Sequence, residues 1–284
     1  MKVIKYRDNG YGIGYVLDFI NSYRTDVKFV PDKKDFDVFF GAYNYIKFVH
    51  PVLCIYYYDE SYTIAGVKNV INSVYDSCYE NFIQINLEFI RPIISVLNNQ
   101  GKDFLFNLHR KDLNIDSSSH SQIKFGCSFY GADRKYRNDF NLFCRDLNYG
   151  IDNLVGIKSK NTLKYYNRLN EKIELASPYK FIFCFENSIA PNYNTEKLSE
   201  ASLTRAIPVY WGSDSEFVKS IINQNSYIHL KENDSFETHL KCVLEVYQNQ
   251  DLYDEYLNQK IFLDLDLMYD QLDHLVDFIK EQIF

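Results

Sequence analysis

The chain has 284 residues, 46% of them hydrophobic and 24% charged, with 11 Gly and 6 Pro. That composition supports a packed core and excludes a disordered, collagen-like or low-complexity chain. Its formal charge of −7 excludes a nucleic-acid binder working through a broad basic surface, and leaves room for one local basic site facing a phosphorylated small molecule.

Along the first half, Lys2–Tyr6, Asp26–Val30, Phe36–Phe40 and Val52–Tyr58 are short, rich in β-branched and aromatic residues and bounded by turn residues. Each predicts a strand, with a helix over Val16–Tyr23 between the first two. Gly10, Gly12 and Gly14 follow the first strand as G-x-G-x-G, which is not the dinucleotide fingerprint and reads as a tight turn. The polar, serine-rich stretch Lys111–Ser121 is the expected domain seam. Beyond it, Gln122–Phe129, Lys180–Phe185, Ile207–Trp211 and Ser226–Leu230 predict strands, with helices at Arg137–Leu147, Thr195–Arg205 and Ser235–Leu257. Near the end, Met268, Leu272, Leu275, Val276, Ile279 and Ile283 form the apolar stripe of a last helix.

Strands alternating with helices imply right-handed crossovers and parallel sheets. The expected architecture is α/β: two Rossmann-like domains, residues 1–115 and 120–260, followed by a C-terminal helical tail over 261–284. No apolar run of about 18 residues occurs, so no transmembrane helix is expected. The N-terminus MKVIKYRDNGYGIG lacks the apolar core of a signal peptide. Cys54, Cys78, Cys127, Cys144, Cys184 and Cys242 form no C-x-x-C pair. Reduced thiols in a cytoplasmic protein are the expectation. From Asp251 to Phe284 nine acids face two lysines, so the tail is expected to pack inside the protein, with no strong membrane association.

The chemistry concentrates in Tyr179–Leu230, YKFIFCFENSIAPNYNTEKLSEASLTRAIPVYWGSDSEFVKSIINQNSYIHL. A buried strand runs into the polar loop Glu186–Asn194, and a helix starts at Asn194 or Thr195, either of which can cap it. Glu196 sits in the first turn, where the dipole favours an acid. Strand-loop-helix units at the carboxyl edge of a parallel sheet bind ligands, and a helix N-terminus beside Lys197 suits a phosphate. Asn187, Tyr193, Thr195, Glu196 and Lys197 together suit a nucleotide sugar, with Lys197 on the pyrophosphate and Glu196 on ribose hydroxyls.

The pattern FEN-S-(four residues)-Y-x-TEK, with IPVYWGS starting ten residues after Lys197, resembles the signature of the α-1,3/4-fucosyltransferases, glycosyltransferase family ten. Pro208 and Gly212 stand at the matching places. The resemblance covers most of residues 120–260, and residues 1–119 match poorly. It implies the GT-B arrangement of two Rossmann-like domains facing across a cleft. The N-terminal half would bind the acceptor and the C-terminal half GDP-fucose, with fucose transferred by an inverting displacement. The implied acceptor is an oligosaccharide or lipid-linked glycan, by default N-acetylglucosamine in a lactosamine-like unit of lipopolysaccharide or a related glycan. No cofactor or metal is required, although divalent cations often stimulate family members.

The family's donor-binding R-x-x-F falls on Arg137 in RNDF, with Arg134 as the alternative. Its catalytic base, in a context like I-x-Y-x-x-E-N, falls on Glu60 in CIYYYDES. There Asp59 and Ser61 depart from the pattern, and Asp59, Asp76 and Glu80 are the other candidates. Asp264-Leu265-Asp266 spells D-x-D, but in a helical tail it reads as surface charge, and the six histidines show no ligand spacing. Two rival readings are an enzyme of the same fold using another GDP-sugar or acceptor, and a non-catalytic nucleotide-sugar or glycan-binding protein.

Overall fold

The computed structural model describes residues 1–8, 13–32, 35, 37–41, 53–57, 69–72, 81–113, 123–130, 134–154 and 165–284. Six strands build a first sheet: β1 (Lys2–Asp8), β2 (Val27–Pro31), β3 (Val38–Gly41), β4 (Leu53–Tyr57), β5 (Asn69–Asn72) and β6 (Asn81–Gln84). Their order is β2-β1-β3-β4-β5-β6, and every pairing is parallel. Between β1 and β2, α1 (Ile13–Tyr23) buries Ile13, Val16, Leu17, Phe19 and Ile20, the inward stripe of an amphipathic helix. A Cβ on Gly14 would lie 2.9 Å from the Tyr6 hydroxyl, so the missing side chain lets α1 start close against β1. Gly10 and Gly12 lie outside the described residues.

The second sheet holds β7 (Lys124–Ser128), β8 (Ile151–Asn153), β9 (Tyr179–Phe185), β10 (Ile207–Trp211) and β11 (Ile228–Leu230). It is also wholly parallel, in the order β11-β10-β9-β7-β8. Phe181–Phe185 and all of β10 are buried without alternation, the pattern of strands covered on both faces. On one face α4 (Lys135–Asp146) and α8 (Phe236–Gln248) close an aromatic cluster around Phe140, Phe183, Phe185 and Trp211. On the other lie α5 (Tyr165–Ala176) and α6 (Glu196–Ser202). The chain leaves β7 towards β8 on one side and reaches β9 on the other, so the topological switch lies between β7 and β9. In open α/β sheets that is where ligands bind.

One continuous apolar cluster joins the first sheet to the α6 face of the second. Its bridge is α2 (Leu87–Gln100), which packs on α1, α5 and α6. Sequence patterning assigns no helix here. Leu87, Phe89, Ile90, Pro92, Ile93, Ile94, Val96 and Leu97 are all buried, so the apolar face is wide and leaves only a narrow polar strip through Glu88, Arg91 and Asn98, and Pro92 within the helix reads as a breaker. From α2 the chain passes Gly101, α3 (Lys102–Phe106) and a 3-10 turn at Arg110–Asp112. That turn is anchored on the second sheet. Arg110 is fully buried and donates to the carbonyls of Thr204 (2.6 Å), Ala206 (2.9 Å) and Ser226 (3.1 Å), just before β10 and β11.

The helix expected over Ser235–Leu257 is two helices, α8 and α9 (Gln250–Asn258). Asn249 between them is extended (φ −109°), and its side chain accepts from the Leu252 amide at 3.2 Å, a cap that starts α9. Patterning also omits β5, β6, β8, α5 and α7 (Glu216–Ile221). The last helix, α10 (Asp266–Ile283), buries Met268, Leu272, Leu275, Val276 and Ile279 completely and returns to the first sheet. Asp273 accepts from Arg24 (2.8 Å) and Tyr23 (3.1 Å), Lys280 donates to Asp26 (2.8 Å), and Gln271 accepts from the Asn86 amide (3.0 Å). Among the described residues no helix is long and apolar enough to cross a membrane.

Candidate functional site

The candidate site lies at the carboxyl ends of β7, β9 and β10. Arg137, in the first turn of α4, reaches across from β7 to the end of β9. It is 2% exposed, and its Nη2 donates to the Phe185 carbonyl (2.5 Å) and to Asn187 Oδ1 (2.7 Å). Burial works against the guanidinium charge, and the neighbouring Tyr130 opposes that effect, its ring centroid 4.5 Å from the guanidinium carbon. Arg134 stands exposed at the N-cap position of α4.

Below Arg137 a buried carboxylate organises the start of α6. The Glu186 side chain is 0% exposed. Its Oε1 accepts from the Thr195 amide (2.8 Å) and the Tyr210 hydroxyl (3.4 Å). Its Oε2 accepts from Thr195 Oγ1 (2.7 Å) and faces Lys197 Nζ at 3.2 Å. A buried carboxylate needs such donors, because an unpaired one costs several kcal/mol. Lys197 Nζ also donates to Thr195 Oγ1 (2.8 Å). Burial lowers the lysine pKa, but the Glu186 and Glu196 carboxylates outweigh it and hold the pKa above the ordinary lysine value.

This corrects the expected helix cap. Thr195 occupies the N-cap position, but its hydroxyl joins Glu186 to Lys197 and makes no capping bond. Asn194 does not cap either, because its Nδ2 donates to the Tyr210 hydroxyl (2.8 Å) and the Ser213 carbonyl (3.1 Å). The anion drawn to this helix start is the protein's own Glu186.

Glu196 is partly exposed and lies 3.7 Å from the Lys197 ammonium. Burial raises its pKa, but Lys197, Lys172 and Arg91 together pull it below the ordinary glutamate value, so it stays a carboxylate. Behind it Lys172 of α5 pairs with Glu200 of α6 at 2.5 Å. Phe129, Tyr130, Lys172, Glu196, Lys197 and Glu200 line part of a cavity of about 40 Å³.

The loop between β9 and α6 is tied to the loop after β10. Asn192 has φ 61°, left-handed backbone that Asn tolerates, and its amide donates to Ser213 Oγ at 3.0 Å. Tyr193 is wholly buried. A Cβ on Gly212 would overlap the Tyr210 hydroxyl and stand 2.8 Å from Glu186 Cγ. The glycine therefore leaves the space that the carboxylate and the phenol fill.

Of the expected site residues, the structure thus gathers Arg137, Asn187, Thr195, Glu196 and Lys197 around one edge, with Tyr193 packed beneath. Glu60, with Asp59, Asp76 and Glu80, lies outside the described residues. Two residues that the patterning does not single out, Glu186 and Tyr210, sit at the centre. Glu186 carried a readable signal, as the first polar residue after the buried apolar run Phe181–Phe185 at a carboxyl edge. Asp264 accepts from the Asp266 amide at 2.9 Å at the start of α10, far along the chain from the site. Among the described residues no group of three or more His, Cys, Asp and Glu is placed to hold a metal ion.

Residues 151–279 match the model of glycosyltransferase family 10 (fucosyltransferase), C-terminal part. A putative fucosyltransferase of Acanthamoeba polyphaga mimivirus is 31% identical over 172 residues, 58% of this chain and 28% of that protein. An α-(1,3)-fucosyltransferase of Helicobacter pylori is 32% identical over 132 residues, 46% of this chain and 27% of that protein. The human 4-galactosyl-N-acetylglucosaminide 3-α-L-fucosyltransferase 9 is 34% identical over 115 residues, 34% of this chain and 32% of that protein. The chain thus spans about a third or less of the curated relatives it matches. In fold it is similar to a crystal structure of an α-1,3-fucosyltransferase with GDP-fucose, with a TM-score of 0.66 at 18% identity over 99% of this chain and 90% of that one. A second such structure, with GDP, gives a TM-score of 0.63 at 18% identity over 91% and 82% of the two chains. The paired parallel sheets are therefore the GT-B fold, and residues 151–279 are similar to the C-terminal part of glycosyltransferase family 10, the fucosyltransferases.

Proposed function

We propose that this protein is an inverting glycosyltransferase that moves L-fucose from GDP-fucose to a hydroxyl of an acceptor glycan. The observation that carries the reading is the cluster at the β7–β9 switch, where Arg137, Asn187, Thr195, Glu196 and Lys197 converge on one edge, all but Arg137 within the matched residues 151–279. A nucleoside diphosphate needs positive charge, and Lys197 supplies it from a partly exposed side chain while Arg137, 2% exposed, adds its own from within the protein. The Lys197 side chain is 19% exposed, so it is not sealed from a ligand, and two carboxylates keep it charged. Glu196, held ionised at the rim, accepts hydrogen bonds from ribose hydroxyls. Asn187 and Tyr193 shape the same loop.

In this reading residues 120–260 bind the donor, residues 1–115 bind the acceptor, and the tail 261–284 braces the two. Glu60 takes the acceptor hydroxyl proton as that oxygen attacks the anomeric carbon from the face opposite the leaving GDP. The charge that develops on the departing diphosphate is met by Lys197 and Arg137. The default acceptor is N-acetylglucosamine in a lactosamine-like unit, fucosylated at its 3-hydroxyl. Cys127, Cys144, Cys184 and Cys242 are free thiols, which supports a reducing, cytoplasmic setting.

Two measurements test the reading. A hydrolysis assay across a panel of GDP-sugars should show GDP-fucose turned over well ahead of the others, and a flat profile would reject the donor. Lys197→Ala should weaken GDP binding by about tenfold or more, the loss of one charge-assisted contact. Unchanged GDP affinity in calorimetry would move the donor site elsewhere.

A further inference from the structure

The diphosphate-binding role proposed for Lys197 raises the question of what holds its ammonium in place. A lysine has a four-carbon stem and about 2 kcal/mol of rotamer entropy, so its head is not placed by its own geometry. Here it has two short contacts, Thr195 Oγ1 at 2.8 Å and Glu186 Oε2 at 3.2 Å, and the threonine hydroxyl is itself fixed by Glu186. Both contacts therefore trace back to one carboxylate.

That carboxylate is built into the sheet edge. It follows β9 directly, its amide donates to the Trp211 carbonyl at 2.9 Å, and both of its oxygens are taken up by donors on Thr195, Tyr210 and Lys197. Its side chain is closed to solvent, so it cannot itself touch a ligand or pass a proton to one. Tyr210 is held in turn by Asn194, and Gly212 leaves the room both need.

We infer that Glu186 is a positioning residue of the donor site: seated by Thr195, Tyr210 and the space at Gly212, it holds the Lys197 ammonium at the carboxyl edge of β9, aimed to bind the diphosphate of the nucleotide. The inference rests on the proposed role of Lys197. It explains why the apolar run Phe181–Phe185 is followed by a buried acid, and why the chain has a glycine two residues beyond Tyr210.

Replacing Glu186 by glutamine keeps its size but puts an NH₂ where one oxygen stood. One oxygen position faces the Thr195 amide, and the other faces the Lys197 ammonium. Whichever way the amide turns, a donor meets a donor, and turning it towards Lys197 expels the ammonium. Removing the Lys197 charge instead leaves Glu186 its three other donors and its seat. Gly212→Ala displaces the carboxylate while keeping every ionisable group.

The test is GDP affinity by calorimetry on the full chain, with folding checked by circular dichroism. Glu186→Gln should weaken GDP by about tenfold, and Lys197→Met by about tenfold or more. The double variant should be no weaker than Lys197→Met alone, within about twofold, since two residues acting through one contact are not additive. The affinity ratio of wild type to Glu186→Gln should also widen from about pH 7 to about pH 9, because the lysine without its counter-charge loses its proton earlier. Gly212→Ala should lower affinity in the same direction, and this loss too should vanish in the Lys197→Met background. It carries the test should Glu186→Gln not fold.

A Glu186→Gln protein that binds GDP like wild type, while Lys197→Met is weakened, overturns the inference alone. So does a Glu186→Gln loss that persists undiminished in the Lys197→Met background, which would mark Glu186 as a support of the fold only. Unaltered binding by Lys197→Met removes the donor-site reading, and this inference with it.

Discussion

Arg110→Ala should lower the unfolding free energy by about 3 kcal/mol, read as a shift of the urea midpoint at unchanged slope. Arg110 is 0% exposed and carries three carbonyls at the amino edge of the second sheet. Alanine leaves those carbonyls without the guanidinium and opens a cavity the length of an arginine. Each buried acceptor left unmade costs about 1–3 kcal/mol. Against that, the variant no longer buries a charge, which burial disfavours here, so the net effect falls short of the sum. Arg110→Lys should recover only part, because one ammonium cannot reach carbonyls that precede two different strands. A midpoint within about 0.5 kcal/mol of wild type, the range of a surface substitution, would show that the linker turn is held by its other contacts. These are the Ile261 amide to the Leu108 carbonyl at 3.0 Å and His109 Nδ1 to the Asn258 carbonyl at 2.8 Å.

On the proposed reading, Glu60→Ala should cut turnover by about a hundredfold or more and leave GDP affinity within about twofold. The two effects separate because a base that activates the acceptor works on the face opposite the leaving diphosphate, while the donor contacts belong to α4, α6 and the end of β9. Glu60→Gln, which keeps the shape and cannot take the proton, should be nearly as slow. Transfer rates measured beside calorimetric GDP binding check both halves. An active Glu60→Ala enzyme would hand the role to Asp59 or Asp76.

Legibility followed the physics of each element. Ile207–Trp211 is an uninterrupted apolar run between turn residues, and the observed β10 has those bounds. The helix at 195–205 is real but stops at Ser202, since local pattern marks ends poorly. Four-residue strands such as NVIN and NFIQ carry too little pattern to be seen, and α2 is hidden because its apolar face leaves only a narrow polar strip and Pro92 interrupts the helical pattern. At the site, residue types and spacing pointed to Lys197, Thr195 and Glu196. They did not show that the Thr195 hydroxyl turns inward to Glu186, because a cap and an internal seat use the same residue. That choice was made by the buried carboxylate at the end of β9, whose need for donors exceeds that of a helix end open to water.

The return of α10 to the first sheet sets a schedule for biosynthesis. Lys280 and Asp26 are 254 residues apart, and a ribosome adding about 5–20 residues per second needs roughly 13–50 s to make the stretch between them. Throughout that interval α1 has emerged while the helix that covers it has not. Phe19 and Tyr23, which end up against Tyr269 at ring distances of 5.7 and 5.2 Å, stay open to water and to neighbouring chains. Helices are made in microseconds, so the pace of the first half's completion is set by translation. A nascent chain stalled short of α10 should therefore bind a general chaperone through its own first helix, and release it when the last helix docks.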